Sequence, residues 1–108
     1  MDYKEKYSAF KVSCHMYKKE KEEFERAKLD KNSDERMLNY MEEDIRFVEK
    51  TFDDIAELYG TNARLILWLL LVENKTQEEV ASMFGISRRQ VQYSADKWSR
   101  AIFGMERK

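Results

Sequence analysis

Proline is absent from this 108-residue chain, and glycine occurs only three times. Turn-rich all-β folds and flexible linkers need more of both, so neither fits. A single cysteine, Cys14, excludes an internal disulfide framework and suits a reducing cytoplasm. The only histidine, His15, is its neighbour. No second cysteine or histidine exists to complete a protein-only zinc site, so no metal or other cofactor is expected. Adjacent residues on a helix point apart, which also rules out a catalytic Cys–His pair. The longest apolar run, Leu65–Val72, has eight residues, far short of the roughly 20 that span a bilayer. The charged segment through Lys6 does not resemble a secretory leader. No phosphate-cradling glycine loop and no grouped nucleophile, base and orienting residue occur, so an enzyme is not expected.

What the chain has is charge, and the charge is segregated. The net value is −1. Residues 1–32 hold nine basic and seven acidic side chains, residues 33–74 hold four and ten, and residues 75–108 hold seven and four. The basic final third is the segment suited to nucleic acid. The dense charge of Lys18–Arg26 is mixed in sign and reads as a solvated helix face. Acidic clusters such as Glu42, Glu43 and Asp44, or Asp53 and Asp54, read the same way.

The three glycines, Gly60, Gly85 and Gly104, each follow an apolar pair and read as helix stops. Asn32 or Ser33, Thr61, Thr76 with Glu79, and Ser87 with Gln90 read as starts, the last two as capping boxes. Five helices are therefore expected, over about 3–28, 33–59, 62–73, 77–84 and 88–102. The fold class is all-α: a long antiparallel helical hairpin over residues 1–59, then a three-helix helix-turn-helix domain over residues 60–108.

Heptad spacing lines each helix of the hairpin. Tyr3, Tyr7, Phe10, Cys14, Tyr17 and Phe24 form one seam, with Lys21 in the skipped position. Leu38, Met41, Ile45, Val48, Phe52, Ile55 and Tyr59 form the other. Such stripes must be covered. The cover is either packing within the chain or a partner. Tyrosine tolerates partial exposure, which makes Tyr3, Tyr7, Phe10 and Tyr17 candidate oligomerisation residues, with a homodimer the expected state.

Within Lys75–Phe103, Val80, Ala81 and Phe84 share one side of a short helix, with Ala81 small where a second helix approaches. Gly85 gives the turn, Ile86 plugs the core and Ser87 caps the next helix. Val91, Ala95, Trp98 and Ile102 form its inner face. A small residue, Ala81, with Gly85 four later and the apolar Val91 six later again, is the spacing of a DNA-binding helix-turn-helix. At 100° per residue, Arg89, Asp96, Tyr93 and Arg100 fall within about 40° of the direction opposite Val91. Arg88, Arg89, Gln92 and Tyr93 crowd the exposed start of the helix, the part that enters a major groove. Arginine matches the guanine edge and glutamine the adenine edge. Ser87 and the helix start suit a phosphate. Lys75, Lys97, Arg100, Arg107 and Lys108 supply further cations for phosphates. Asp96 either sits off the DNA or accepts from a cytosine amino group. Trp68 and Trp98 fall in apolar registers and read as core.

The stretch TQEEVASMFGISRRQVQYSADKWSRAIF resembles the helix-turn-helix of region four of bacterial sigma factors, and NARLILWLLLVENK resembles the helix that precedes it there. The resemblance covers about two fifths of the chain. It implies that Arg88, Arg89, Gln92 and Tyr93 read bases, as the matched positions read the promoter −35 element in that family. No room remains for a domain that melts the −10 element; the tyrosine-rich hairpin stands in its place. That pairing is similar to small phage regulators of the ArpU and RinA kind. The expected function is sequence-specific binding of double-stranded DNA to regulate transcription, in the cytoplasm and on the nucleoid. The alternatives are an interaction protein that docks on RNA polymerase or another nucleic-acid enzyme through the hairpin, and a small-terminase-like subunit of phage DNA packaging.

Overall fold

The computed structural model describes residues 3–104, and every regular element among them is helical. The five helices are α1 (Tyr3–Leu29), α2 (Glu35–Tyr59), α3 (Thr61–Leu71), α4 (Gln77–Phe84) and α5 (Arg88–Gly104). None is long and apolar enough to cross a membrane.

Local chemistry sets most of these limits. Asp34, not Asn32 or Ser33, caps α2, its carboxylate accepting from the Arg36 N–H at 2.9 Å. Ser33 is committed elsewhere: its hydroxyl donates to the Ala27 carbonyl at 2.7 Å and closes the end of α1. Thr76 and Glu79 form a full capping box at the start of α4. Ser87 and Gln90 make the equivalent reciprocal bonds at the start of α5, at 3.1 and 3.0 Å. Gly85 ends α4 in the left-handed conformation, at φ 65°, where a side chain would be strained. Gly104 is not a stop of that kind. It is the last described residue of α5, its φ is not positive, and a Cβ on it would stand 3.3 Å from the Tyr3 Cβ. The glycine permits close approach of α1.

The seam of α2 faces inward as its spacing demands: Met41, Ile45, Val48, Phe52 and Ile55 are all buried. Phe10, Cys14 and Tyr17 of α1 are buried against it. The same apolar cluster takes in Ala63, Leu67 and Leu71 of α3 and Ala95 of α5, so the core continues across Gly60. Trp68 meets Phe52 at 5.1 Å and Tyr17 at 5.4 Å between ring centroids, both edge-on. A second, smaller cluster of Ile66, Val80, Ala81 and Val91 holds α4 and α5 to α3, and Trp98 packs against both clusters.

Much of the seam of α1 is thereby covered within the chain, which takes Phe10 and Tyr17 away from the surface and leaves Tyr3 and Tyr7 half-buried. Phe10 and Tyr17 are buried, at 1% and 6% exposure. Tyr7 stacks on Phe103 at 5.9 Å. Tyr3 lies under the Arg100 guanidinium at 5.4 Å. The hairpin alone left this stripe open because its cover comes from α3 and α5, a contact between residues some 50 to 100 positions apart. With most of the stripe closed, the apolar argument for a homodimer loses its main support.

Polar contacts fix the register between helices. The Tyr17 hydroxyl donates to Glu49 at 2.5 Å, and Lys21 donates to both the same carboxylate, at 3.1 Å, and the Tyr17 oxygen, at 3.2 Å. Lys18 pairs with Glu73 beyond the end of α3. The Ser13 hydroxyl donates to Asp44 at 3.1 Å, and the Glu20 carboxyl hydrogen-bonds Asp44 as well. Burial, that bond and the Asp44 charge push the Glu20 carboxyl up to about 7. Two carboxyl groups that face each other hold one proton between them more readily than none.

Candidate nucleic-acid interface

α5 is held on its inner face by α3 and α4 and, along its second half, by α1. Val91 is fully buried, and Ala95 and Ser99 are nearly so. Ser99 was not legible as a core residue. Its hydroxyl donates to the Asp96 carbonyl at 3.0 Å, which satisfies the polar group and lets it face inward. α4 joins α5 through Gly85, Ile86 and Ser87, and Val80 and Ala81 of α4 are buried in one cluster with Val91 of α5.

The opposite side of α5 is open. Arg89, Gln92, Tyr93 and Lys97 are all exposed, and none makes a side-chain hydrogen bond or an ion pair among the described residues. Tyr93 is 69% exposed. An arginine, an amide, a phenol and an ammonium group thus stand in solvent on a rigid helix whose inner face is locked. Arg89 keeps all five guanidinium donors available.

Four further predicted residues are engaged. Arg88 pairs through Nε with Glu78 of α4 at 3.2 Å, so its fork is partly neutralised. The Ser87 hydroxyl accepts from the Gln90 N–H, which commits it to the cap rather than leaving it for a ligand. Arg100 reaches back to α1, where Nη2 donates to the Tyr3 hydroxyl at 3.3 Å. Its charge is not neutralised by this contact. Lys75 lies 4.0 Å from Glu79. Arg107 and Lys108 lie outside the described residues.

Asp96 lies on the flank of α5 toward α1. Burial, and after it the Asp96 carboxylate, push the Tyr7 hydroxyl up to about 12. Tyr93, Asp96, Lys97 and Arg100 border a shallow cleft of about 410 Å³. Cys14 faces the core, where burial and Asp44 push its thiol up to about 12, while His15 is exposed. The two side chains share no site, and the thiol carries no nucleophilic thiolate at neutral pH.

No family model matches the chain, and neither the curated proteins nor the solved structures include a match.

Proposed function

We propose that the protein binds double-stranded DNA sequence-specifically through a helix-turn-helix formed by α4, the Gly85 turn and α5, and that it acts as a regulator of transcription. In this reading α1 and α2 form a helical hairpin that supports the DNA-binding unit instead of a dimer interface. One observation carries the reading: the exposed row Arg89, Gln92, Tyr93 and Lys97 on a helix whose other side is buried. Side chains that satisfy one another are poor readers of a ligand. These four have no such partners among the described residues, and their chemistry matches base edges and phosphates. The pairing of Arg88 with Glu78 makes Arg89 the principal candidate for a guanine edge.

The test is binding of the full chain to a random duplex pool over a salt series. The reading expects binding that weakens by well over an order of magnitude, about forty-fold, between 50 and 200 mM salt if about three phosphates are neutralised. It also expects one enriched sequence family after selection. Salt-insensitive binding, or recovery of no sequence preference, contradicts it. A second reading, docking on RNA polymerase or another nucleic-acid enzyme, is favoured by α2, which exposes Met37, Tyr40 and Leu58 among acidic residues. A protein that co-sediments with polymerase and retains no duplex would support that reading instead.

A further inference from the structure

The first half of α1 runs beside the second half of α5. Phe10 and Tyr7 both pack on the Phe103 ring, and Gly104 admits Tyr3 at close range. Along the open edge of this contact lies a cleft of about 330 Å³, lined among others by Lys4, Lys11, Ser8, Asp96 and Arg100. Lys4 and Lys11 are two helical turns apart and so share one side of α1.

The cleft holds three cations against one carboxylate. Tyrosine rings place two of them: Lys11 Nζ sits 4.7 Å from the Tyr7 ring centre, and the Arg100 guanidinium 5.4 Å from that of Tyr3. Neither Lys4, Lys11 nor Arg100 makes an ion pair among the described residues. Asp96 and Arg100 also border the cleft that holds Tyr93 and Lys97. The two depressions therefore form one track that leads from the open row of α5 onto α1.

We infer that Lys4 and Lys11 bind backbone phosphates of the same duplex that α5 faces, so that the DNA surface extends across α5 onto α1. The inference rests on the proposed DNA reading of α5. Its physical basis is width. A helix with its side chains is about 10–12 Å across and a major groove about 12 Å wide, so α5 fills the groove. A helix packed on its flank, some 8–10 Å away, then lies over the phosphates that border the groove. α1 is that helix, and ammonium groups held at its edge suit phosphates, which carry no sequence information. Asp96 opposes the phosphates from within the same cleft, and the three cations outweigh it.

The experiment compares the full chain with Lys4→Ala/Lys11→Ala, Lys4→Arg/Lys11→Arg and Lys4→Ala alone, on one fixed duplex and on a scrambled duplex between 50 and 200 mM salt. The double alanine variant is expected to lower the slope of log affinity against log salt by about 1.8, at roughly 0.9 per phosphate. It should do so equally on both duplexes. The arginine variant should keep the wild-type slope. Lys4→Ala, at an exposed position, should lower it by about half as much without touching the core. Wild-type slopes for Lys4→Ala and for a double alanine variant that melts normally would overturn the inference while leaving the reading of α5 in place. If the wild-type chain binds neither these duplexes nor any from a random pool, both fall together.

Discussion

Tyr17 of α1 is 6% exposed and Tyr93 of α5 is 69% exposed. The first lies in a row of aromatic residues at heptad spacing, has its ring against Trp68 and donates its hydroxyl to Glu49. The second lies in a row with Arg89, Gln92 and Lys97, and its ring meets no other aromatic ring among the described residues. Residue type alone does not separate them. What separates them is tertiary cover: Tyr17 lies on the heptad seam of α1 that α2 and α3 close, whereas the residues one turn from Tyr93, namely Arg89, Gln90, Asp96 and Lys97, are all polar and exposed. The comparison also assigns roles. The inner row of α1 makes the protein stable, and the outer row of α5 is available for a ligand.

That division is breakable by substitution. Phe10→Ala removes a side chain packed against Phe47, Phe52 and Phe103 at 5.2 to 5.9 Å. It should lower unfolding free energy by about 3–5 kcal/mol, read from denaturant melts. A loss below about 1 kcal/mol would mean that α1 is not part of the core. Tyr17→Phe keeps the ring and deletes the bond to Glu49, and should cost about 1 kcal/mol. Tyr93→Ala should leave the unfolding free energy within about 0.5 kcal/mol of wild type, because the side chain is exposed. A large loss there would place Tyr93 in the core and close the outer row.

Acidity sharpens the same contrast, since the carboxyl group pushed up furthest, Glu20, lies where α1 meets α2. A Glu20 carboxyl at about 7, against an ordinary 4.5, favours the folded state while protonated. That contribution is complete below the ordinary value and is lost as pH rises through about 7. Glu49 acts in the opposite sense. The Tyr17 hydroxyl and Lys21 hold its carboxyl down despite partial burial, so its contribution is lost on acidification below the ordinary carboxylate range. Melting temperature should therefore fall modestly from pH 5 to pH 8, and Glu20→Gln should flatten the profile. An unchanged profile in Glu20→Gln would remove the shared-proton account.

Sequence patterns revealed the parts of this molecule that are local. The five helices, the Thr76–Glu79 and Ser87–Gln90 boxes and the inner face of α2 follow from spacing and from hydrogen bonds three residues long. Where several residues compete for one role, pattern failed: in the run Asn32, Ser33, Asp34, the cap is the last, because Ser33 is bonded back to α1. Contacts between distant helices left no local trace. The approach of Tyr3 to Gly104 has no mark in the sequence, and Arg100 reads like a free cation until it is seen over the Tyr3 ring. The pairing of Glu20 with Asp44 and the closure of the α1 seam by α3 and α5 are of this kind. Of the candidate site, the outward direction of Arg89, Gln92, Tyr93 and Lys97 was legible from helical angles or simple polarity. The engagement of Arg88 by Glu78 was not, since it spans two helices.

The central claim, that the outer row of α5 reads base edges, is tested most directly by selecting sequences from a random duplex pool with wild type and with Arg89→Ala side by side. Arg89 is exposed and touches no core residue, so the variant should melt as wild type does. The account predicts that wild type enriches a defined sequence and that Arg89→Ala binds it about 1–3 kcal/mol more weakly, with the preference relaxed at a single base pair. Identical enrichment and identical affinity for the two proteins would contradict it.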